Sequence, residues 1–530
     1  MSAVSDTGNS GSTGGFFGHP KGLSTLFFTE MWERFSFYGL RPLLTLFMVA
    51  AVTQGGWEWD RSEAGAIVGI YASCVYLASL PGGWIADKLL GLRRAVLYGG
   101  ALISLGHLTI GISGLVEHKL PFFLGLIFIV LGTGLLKPNI SAMVGDLYPE
   151  GGARQDAGFS IFYMGINLGA LIGQFITGLL GEKIGWHWGF SAAAVAMFIG
   201  LLQFWLMSRK TLGNIGSEPT RHPDPAIQAK QETQVKLFTG IGLGILALVV
   251  VLVATGILTI NAPVVGTYLA YALIAIAFAY FTYLFVFGGL SNDEKKRIVV
   301  IAVLFIFAAI FWSAFEQTPT ALNLFAFDFT DRMIGGFEVP ATWFQIINSA
   351  FIILLAPLIA IFWTFLGRRQ VELSSPTKFA IGLGFAAISF LVMIFAANVV
   401  IGGNGLRVSP MWLITFYFFI TLGELFISPV GLSSMTTLSP KRYVGQIMGI
   451  WFIASALGNL IGGLVAGNVD PEKLELMPKL FTTTTLLLGG AAVVLVLLAI
   501  PISRMMREAK APEQPEDPIN EVPDPMPDEK

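Results

Sequence analysis

Apolar residues gather into long blocks along the chain, and polar and charged residues fall mainly in the short intervals between them. Blocks at 23–53, 62–88, 92–115, 119–148, 154–181 and 187–208 come first. A polar stretch at 209–235, carrying Pro219, Pro223 and Pro225, precedes two more at 237–257 and 264–289. Six further blocks follow at 298–327, 341–366, 376–401, 409–438, 442–467 and 477–503. Each is long enough for an α-helix to cross a hydrocarbon core about 30 Å thick. The pattern predicts fourteen membrane-crossing helices, grouped as six, two and six.

Composition supports that reading. Only 12% of the 530 residues are charged and 54% are hydrophobic, whereas soluble domains carry about 25% charged residues. The fold class is an all-α polytopic membrane protein. The net charge of −2 gives no electrostatic footprint for a nucleic-acid partner. Cys74 is the one cysteine, so no internal disulfide is expected.

The expected organisation is a tail at 1–20, a six-helix bundle at 21–208 and a linker at 209–235. A two-helix hairpin at 236–290, a second bundle at 291–508 and an acidic tail at 509–530 complete it. Both tails have the polar, Gly/Ser- or Pro-rich composition of disordered segments. The first lacks the basic start and short apolar core of a signal peptide. The hairpin has no charged residue between Lys236 and Asp293 and is expected to face lipid, with no role at a binding site.

Basic residues fix the expected orientation. Lys88, Arg93 and Arg94, the linker, Lys295 to Arg297, Arg368 and Arg369, Lys441 and Arg442, and Arg504 and Arg507 all fall on one side if both ends do. The positive-inside rule makes that side cytoplasmic.

The two groups of six look related. Residues 161–173 read IFYMGINLGALIG and residues 450–462 read IWFIASALGNLIG, with Pro138 and Pro149 spaced upstream as Pro429 and Pro440 are. Two six-helix halves related by a parallel repeat are the architecture of major facilitator transporters.

Charges inside the spans carry the chemistry. In TEMWERFSFYGLR, 29–41, Glu30, Glu33, Arg34, Tyr38 and Arg41 fall within about 140° of one helix face. Lys137 sits in GTGLLKPNIS, Glu316 in FWSAFEQTP and Glu424 in TLGELFISP. A charge at mid-membrane costs ~2.5–3.5 kcal/mol unless it faces a cavity or a partner. One alternative is that these are internal ion pairs holding the bundle, but buried ion pairs rarely add net stability over apolar packing. Bases lie in the first half, while the second half contributes only acids. A cavity between the halves would thus be positive on one wall and negative on the other, which suits a zwitterion such as a peptide.

At these motifs the sequence resembles the proton-coupled oligopeptide transporter (POT) family of the major facilitator superfamily, in its bacterial form. The resemblance rests on Glu30-x-x-Glu33-Arg34-Phe35-x-Phe37-Tyr38-Gly39, on FSIFYMGINLGAL at 159–171 and on GGWIADKLLGLRRAV at 82–96. Lys137-Pro138-Asn139 and the run from Gly423 complete it. It implies a major facilitator fold of two six-helix bundles with an inserted two-helix hairpin, and a symporter that takes up di- and tripeptides by alternating access. It implies that Arg34, Arg41 and Lys137 attract the peptide carboxylate. Glu424 would hold the ammonium, with Asn167 and Asn348. Tyr38 and Tyr76 would offer hydroxyls, Trp451 would form part of a side-chain pocket, and Glu30, Glu33 and Glu316 would exchange protons. Asp87 is expected to act structurally near a gate, and Pro138, Pro319 and Pro429 as hinges.

Two positions depart from the family pattern. Phe37 stands where the family has a tyrosine, and Ser349 where it often has a proline. Helix 2 carries no histidine, so coupling rests on carboxylates.

No metal, no cofactor and no catalysis are expected: HExxH, GxSxG and phosphate-loop patterns are missing. The expected partners are peptide, protons and the lipid bilayer of the cell (inner) membrane, with the chain working as a monomer. A nitrate-type carrier on the same fold is the main rival, and Glu424 argues against it by placing a negative charge in the cavity. A membrane enzyme or a nutrient sensor is a further alternative.

Overall fold

The structure, a computed structural model, describes residues 15–116, 118–370 and 373–508. Most of the first tail, residues 1–14, and the acidic tail at 509–530 lie outside the described residues. The first bundle comprises α1 (Lys21–Val49), α2 (Arg61–Ile85), α3 (Leu92–Ile112), α4 (Leu120–Asp146), α5 (Gly152–Lys183) and α6 (Trp186–Thr211). The hairpin is α7 (Pro225–Ala254) and α8 (Ala262–Phe287). The second half comprises α9 (Asn292–Phe315), the short α10 (Asn323–Phe329) that continues it, α11 (Ile346–Arg368), α12 (Ser375–Gly402), α13 (Met411–Leu438), α14 (Val444–Leu464) and α15 (Leu476–Glu508). Among the described residues, thirteen helical stretches are long and apolar enough to cross a membrane. The stretch outside that set is α1, 29 residues long and the one that carries the charge-rich motif.

Helix starts follow local chemistry. Asp60 accepts from the Ser62 amide at 2.8 Å to open α2, and Asp224, ahead of Pro225, accepts from the Ala226 amide at 2.8 Å to open α7. Thus α7 begins inside the polar stretch read as a linker. Ser291 and Glu294 form a reciprocal cap on α9.

Small residues set how close the helices come. A Cβ on Gly169 would sit 2.2 Å from the Met31 carbonyl oxygen, so α5 lies backbone to backbone on α1. Between the halves, a Cβ on Gly463 would meet the Gly65 carbonyl at 2.3 Å, which brings α14 onto α2. In a membrane such contacts replace the hydrophobic effect as the source of helix association. The hairpin packs from outside at this α2–α14 junction, mainly through α8. Of α7, Val235 alone is buried among the described residues.

The span read as continuous over 298–327 is broken. After Phe315 the chain makes a π-helical turn at Thr318–Leu322 before α10 resumes. Pro319 cannot supply its amide, and the disturbed turn is held by its neighbours. Thr45 donates to the Pro319 carbonyl at 2.9 Å, Asn323 to the Pro42 carbonyl at 2.9 Å, and Thr320 to the Gly462 carbonyl at 2.8 Å. The break therefore ties α1, α9 and α14 together immediately after Glu316.

One end of the molecule is shut by contacts across the halves. Arg61 of α2 pairs with Asp328 of α10 at 2.6 Å. Glu182 at the end of α5 meets Arg332 at 3.6 Å, and Lys183 meets Glu338 at 3.0 Å. Trp343 stacks on Phe175 with ring centres 4.4 Å apart. Toward the opposite end Tyr163 of α5 and Leu432 of α13 stand 48% and 45% exposed.

Candidate functional site

The intramembrane charges are positioned by α1. Arg34 lies against both acids of its own helix, with Nε 3.0 Å from Glu30 and in contact with Glu33. About two turns further on, Arg41 reaches across to the second half. Its Nη2 donates to Glu316 Oε2 and to Asn459 Oδ1, each at 2.6 Å. Phe37 lies between the two arginines, with its ring centre 5.2 Å from the Arg34 guanidinium carbon and 5.3 Å from that of Arg41. The tyrosine-to-phenylalanine departure thus leaves an apolar ring that two cations share.

Lys137 comes from α4. Its ammonium sits 4.0 Å from the centre of the Tyr76 ring. Among the described residues no carboxylate lies within ion-pair distance of it. On the facing wall, Asn348 of α11 donates to Glu424 Oε2 and to Thr421 Oγ1, each at 3.0 Å. Asn167 spends an amide hydrogen on the Tyr163 carbonyl at 3.1 Å, in its own helix.

These groups surround a cavity of about 310 Å³ between the halves. Of the residues singled out from sequence, Glu30, Arg34, Tyr38, Arg41, Tyr76, Lys137, Asn167, Glu316, Pro319, Asn348 and Glu424 line it. Ser349, the second departure, lines it too and brings a hydroxyl. The bases stand on the first-half wall, and Glu424 stands on the second with its asparagine. Trp312, Phe315, Ile166 and Ile352 supply an apolar section.

Five residues singled out from sequence stand elsewhere. Glu33 is fully buried against Arg34, behind the lining. Trp451, expected in a side-chain pocket, lies outside the lining. It is 5% exposed, and its indole fills the notch that Gly431 leaves on α13, where a Cβ would come within 2.2 Å of the ring. Asp87 is in a π-helical turn after α2, and its carbonyl accepts from the Thr220 amide of the linker at 2.8 Å. Pro138 and Pro429 are inside α4 and α13, each next to a lining residue.

Asn459, Gln174, Gln345, Trp312 and Ser428 were not singled out from sequence. Asn459 occupies the variable position of the repeated frame L-G-x-L-I-G, where the first half has Ala170. A lone amide there in a buried apolar helix is the signal that could have marked it.

The sequence profile of the POT family matches residues 93–477. The peptide transporter YePEPT of Yersinia enterocolitica subsp. palearctica is 46% identical over 495 residues, 93% of this chain and 97% of the relative. A di-/tripeptide transporter of Lactococcus lactis subsp. cremoris is 36% identical over 466 residues, 85% of this chain and 90% of the relative. A crystal structure of a POT peptide transporter in complex with sulfate superposes with a TM-score of 0.85 at 39% identity, covering 93% of this chain and 97% of that one.

Proposed function

The chain belongs to the POT family, and on that premise we propose that it is a symporter that takes up di- and tripeptides with protons by alternating access. The observation that carries this reading is the polarity of the cavity. Arg34, Arg41 and Lys137 face it from one half, and Glu424 faces it from the other. A short peptide has its carboxylate and its ammonium at opposite ends, and each end finds a charge of opposite sign. Asn348, already bonded to Glu424, and Asn167 complete the ammonium side, while Tyr38 and Tyr76 offer hydroxyls to the backbone between. The similarity to carriers named for peptides supports the same reading.

Coupling follows from the ion pair between Arg41 and Glu316. A proton on Glu316 removes its charge and releases part of Arg41 to the incoming carboxylate. The cluster of Glu30, Glu33 and Arg34 is a second group of the same kind on the same helix. Protons moving down their gradient drive the peptide inward, and no cofactor is needed.

The protein works as a monomer in the cell (inner) membrane with both termini cytoplasmic. The end shut by Arg61 and Asp328 then faces outside, and the cavity opens toward the cytoplasm. The test is uptake of labelled dialanine by liposomes containing the carrier. Competition by tripeptide but not by nitrate or free alanine is expected, and competition by nitrate alone would overturn the reading.

A further inference from the structure

The two hydrogens of Arg41 Nη2 are divided between a group that can take a proton and one that cannot. One goes to the Glu316 carboxylate and the other to the Asn459 amide oxygen, both at 2.6 Å. We propose that Asn459 is a second, charge-independent anchor for Arg41, a positioning residue that keeps the first half docked on the second after Glu316 has been neutralised. The proposal deepens the coupling reading and rests on Glu316 being the group that takes the proton.

The amide is built to face one way. Asn459 Nδ2 donates to the Ser455 carbonyl at 2.8 Å, one turn back in α14, which leaves Oδ1 for the arginine. The helix that carries it cannot shift easily. A Cβ on Gly458 would sit 2.5 Å from Trp312, and one on Gly462 would sit 2.5 Å from the Glu316 carbonyl oxygen. A Cβ on Gly69 of α2 would come within 2.8 Å of the Asn459 carbonyl oxygen itself. Asn459 is therefore fixed at the point where α1, α2, α9 and α14 meet, and all three members of the contact are buried.

The division has a consequence. If Glu316 alone held Arg41, every protonation would free the arginine and remove this tie between the halves before the peptide carboxylate arrived, leaving closure to the contacts of Arg61 and Glu182 at the outer end. With Asn459 present, protonation weakens the hold without abolishing it. Closure of the outer end then outlasts the proton event, and the arginine stays aimed at the cavity it lines. Other groups acting on Glu316 are Tyr38 of α1, Tyr76 of α2, Lys137 of α4 and Glu424 of α13. None of these is bonded to it, so the arginine's direct acceptors remain Glu316 and Asn459 among the described residues.

A double-variant cycle tests this without any peptide. Spin labels at Thr53→Cys and Glu475→Cys, exposed on opposite halves at the closed end, report its opening in liposomes by pulsed distance measurement, in a Cys74→Ser background. Glu316→Gln imitates the protonated carboxyl. Glu316→Gln alone and Asn459→Leu alone should each keep the short distance. Combined, they leave Arg41 one neutral acceptor in place of two, and the open population should rise about tenfold or more. Asn459→Gln, which keeps an uncharged amide oxygen for Arg41, should restore the short distance in the Glu316→Gln background. If leucine is not tolerated against α2, Asn459→Ala replaces it in every arm. A double variant no more open than Glu316→Gln would overturn the proposal. So would an Asn459→Leu protein already as open as the double, since that is the signature of a merely structural residue. Dialanine uptake by the parent protein reads the transport assignment separately.

Discussion

Glu182, at the last turn of α5, caps Thr342 across the gap between the halves. Its Oε1 accepts from the Thr342 amide at 2.9 Å and from the Thr342 hydroxyl at 2.8 Å, while Oε2 accepts from the Ala341 amide at 2.8 Å. A carboxylate from one bundle thus satisfies the free amides at the start of the 3-10 turn (Ala341–Gln345) that leads into α11 in the other. Hydrogen bonds to a charged group are worth ~1.5–3 kcal/mol each. Glu182→Ala removes three of them, and with water taking over most of the lost bonding it should still shift the opening equilibrium of the closed end by about 10- to 100-fold, the scale of one such bond. Solvent accessibility of a single cysteine introduced at the buried Ala341, whose bond to Glu182 is made by the backbone amide and is kept, reads that shift in a Cys74→Ser background. Unchanged labelling would show that Arg61 and Asp328 hold this end without it.

The neighbouring carboxylate gives a prediction about pH. The Lys183 ammonium hydrogen-bonded to Glu338, with Arg332 and Arg407 close by, holds its carboxyl below the usual carboxylate range. A group more acidic when folded than when unfolded contributes fully above the ordinary value, about 4.3. Its contribution fades as pH falls through the lower folded value. Glu338→Gln should therefore loosen the closed end equally at pH 8 and at pH 5.5. A loss confined to pH 8 would mean that Glu338 is already protonated at 5.5. Proton sensitivity of the closed end in that interval does not come from Glu338.

Glu424 is expected to recognise charge at one end of the peptide only. Glu424→Gln should weaken competition by dialanine about tenfold, the scale of one charge-assisted hydrogen bond, and should leave competition by N-acetylated dialanine unchanged. Equal losses for both peptides would place the ammonium elsewhere.

Two glycines separate packing from propensity. Gly169→Val puts a side chain against the Met31 carbonyl, which is backbone and cannot move aside, and should destabilise by ~1–3 kcal/mol or prevent assembly. Gly240→Ala in α7 meets nothing within 4 Å and should be neutral or slightly stabilising, as alanine is the better helix former. Thermal unfolding in detergent compares the two directly. A tolerated Gly169→Val would contradict the backbone contact of α1 with α5.

Membrane physics explains how much of this was legible in the sequence. The fourteen spans could be read because every crossing helix needs its own apolar block. Arg34, Arg41, Lys137, Glu316 and Glu424 could be read because a charge inside such a block needs a reason. Pro319 marked the break in the seventh span of the two bundles, but the π-helical turn and its supports at Thr45, Thr320 and Asn323 belong to tertiary packing. Asn459 is marked in the sequence only as a lone amide in an apolar helix, and nothing there names its partner Arg41, 418 positions away. The network of Glu182, Lys183, Arg332 and Glu338 was hidden for another reason. Charges at span ends are ordinary, and nothing in their local sequence says that they face each other across two bundles. Trp451 was assigned by resemblance, whereas its neighbour Gly431 decides where the ring lies.

In the proposed mechanism Glu316 couples proton to peptide through Arg41. The most direct measurement compares parent and Glu316→Gln carriers in the same liposomes for two activities: exchange of dialanine without a gradient, and accumulation of dialanine driven by an inward proton gradient. The variant should exchange peptide but accumulate none above the equilibrium level. Gradient-driven accumulation by Glu316→Gln equal to that of the parent would contradict it.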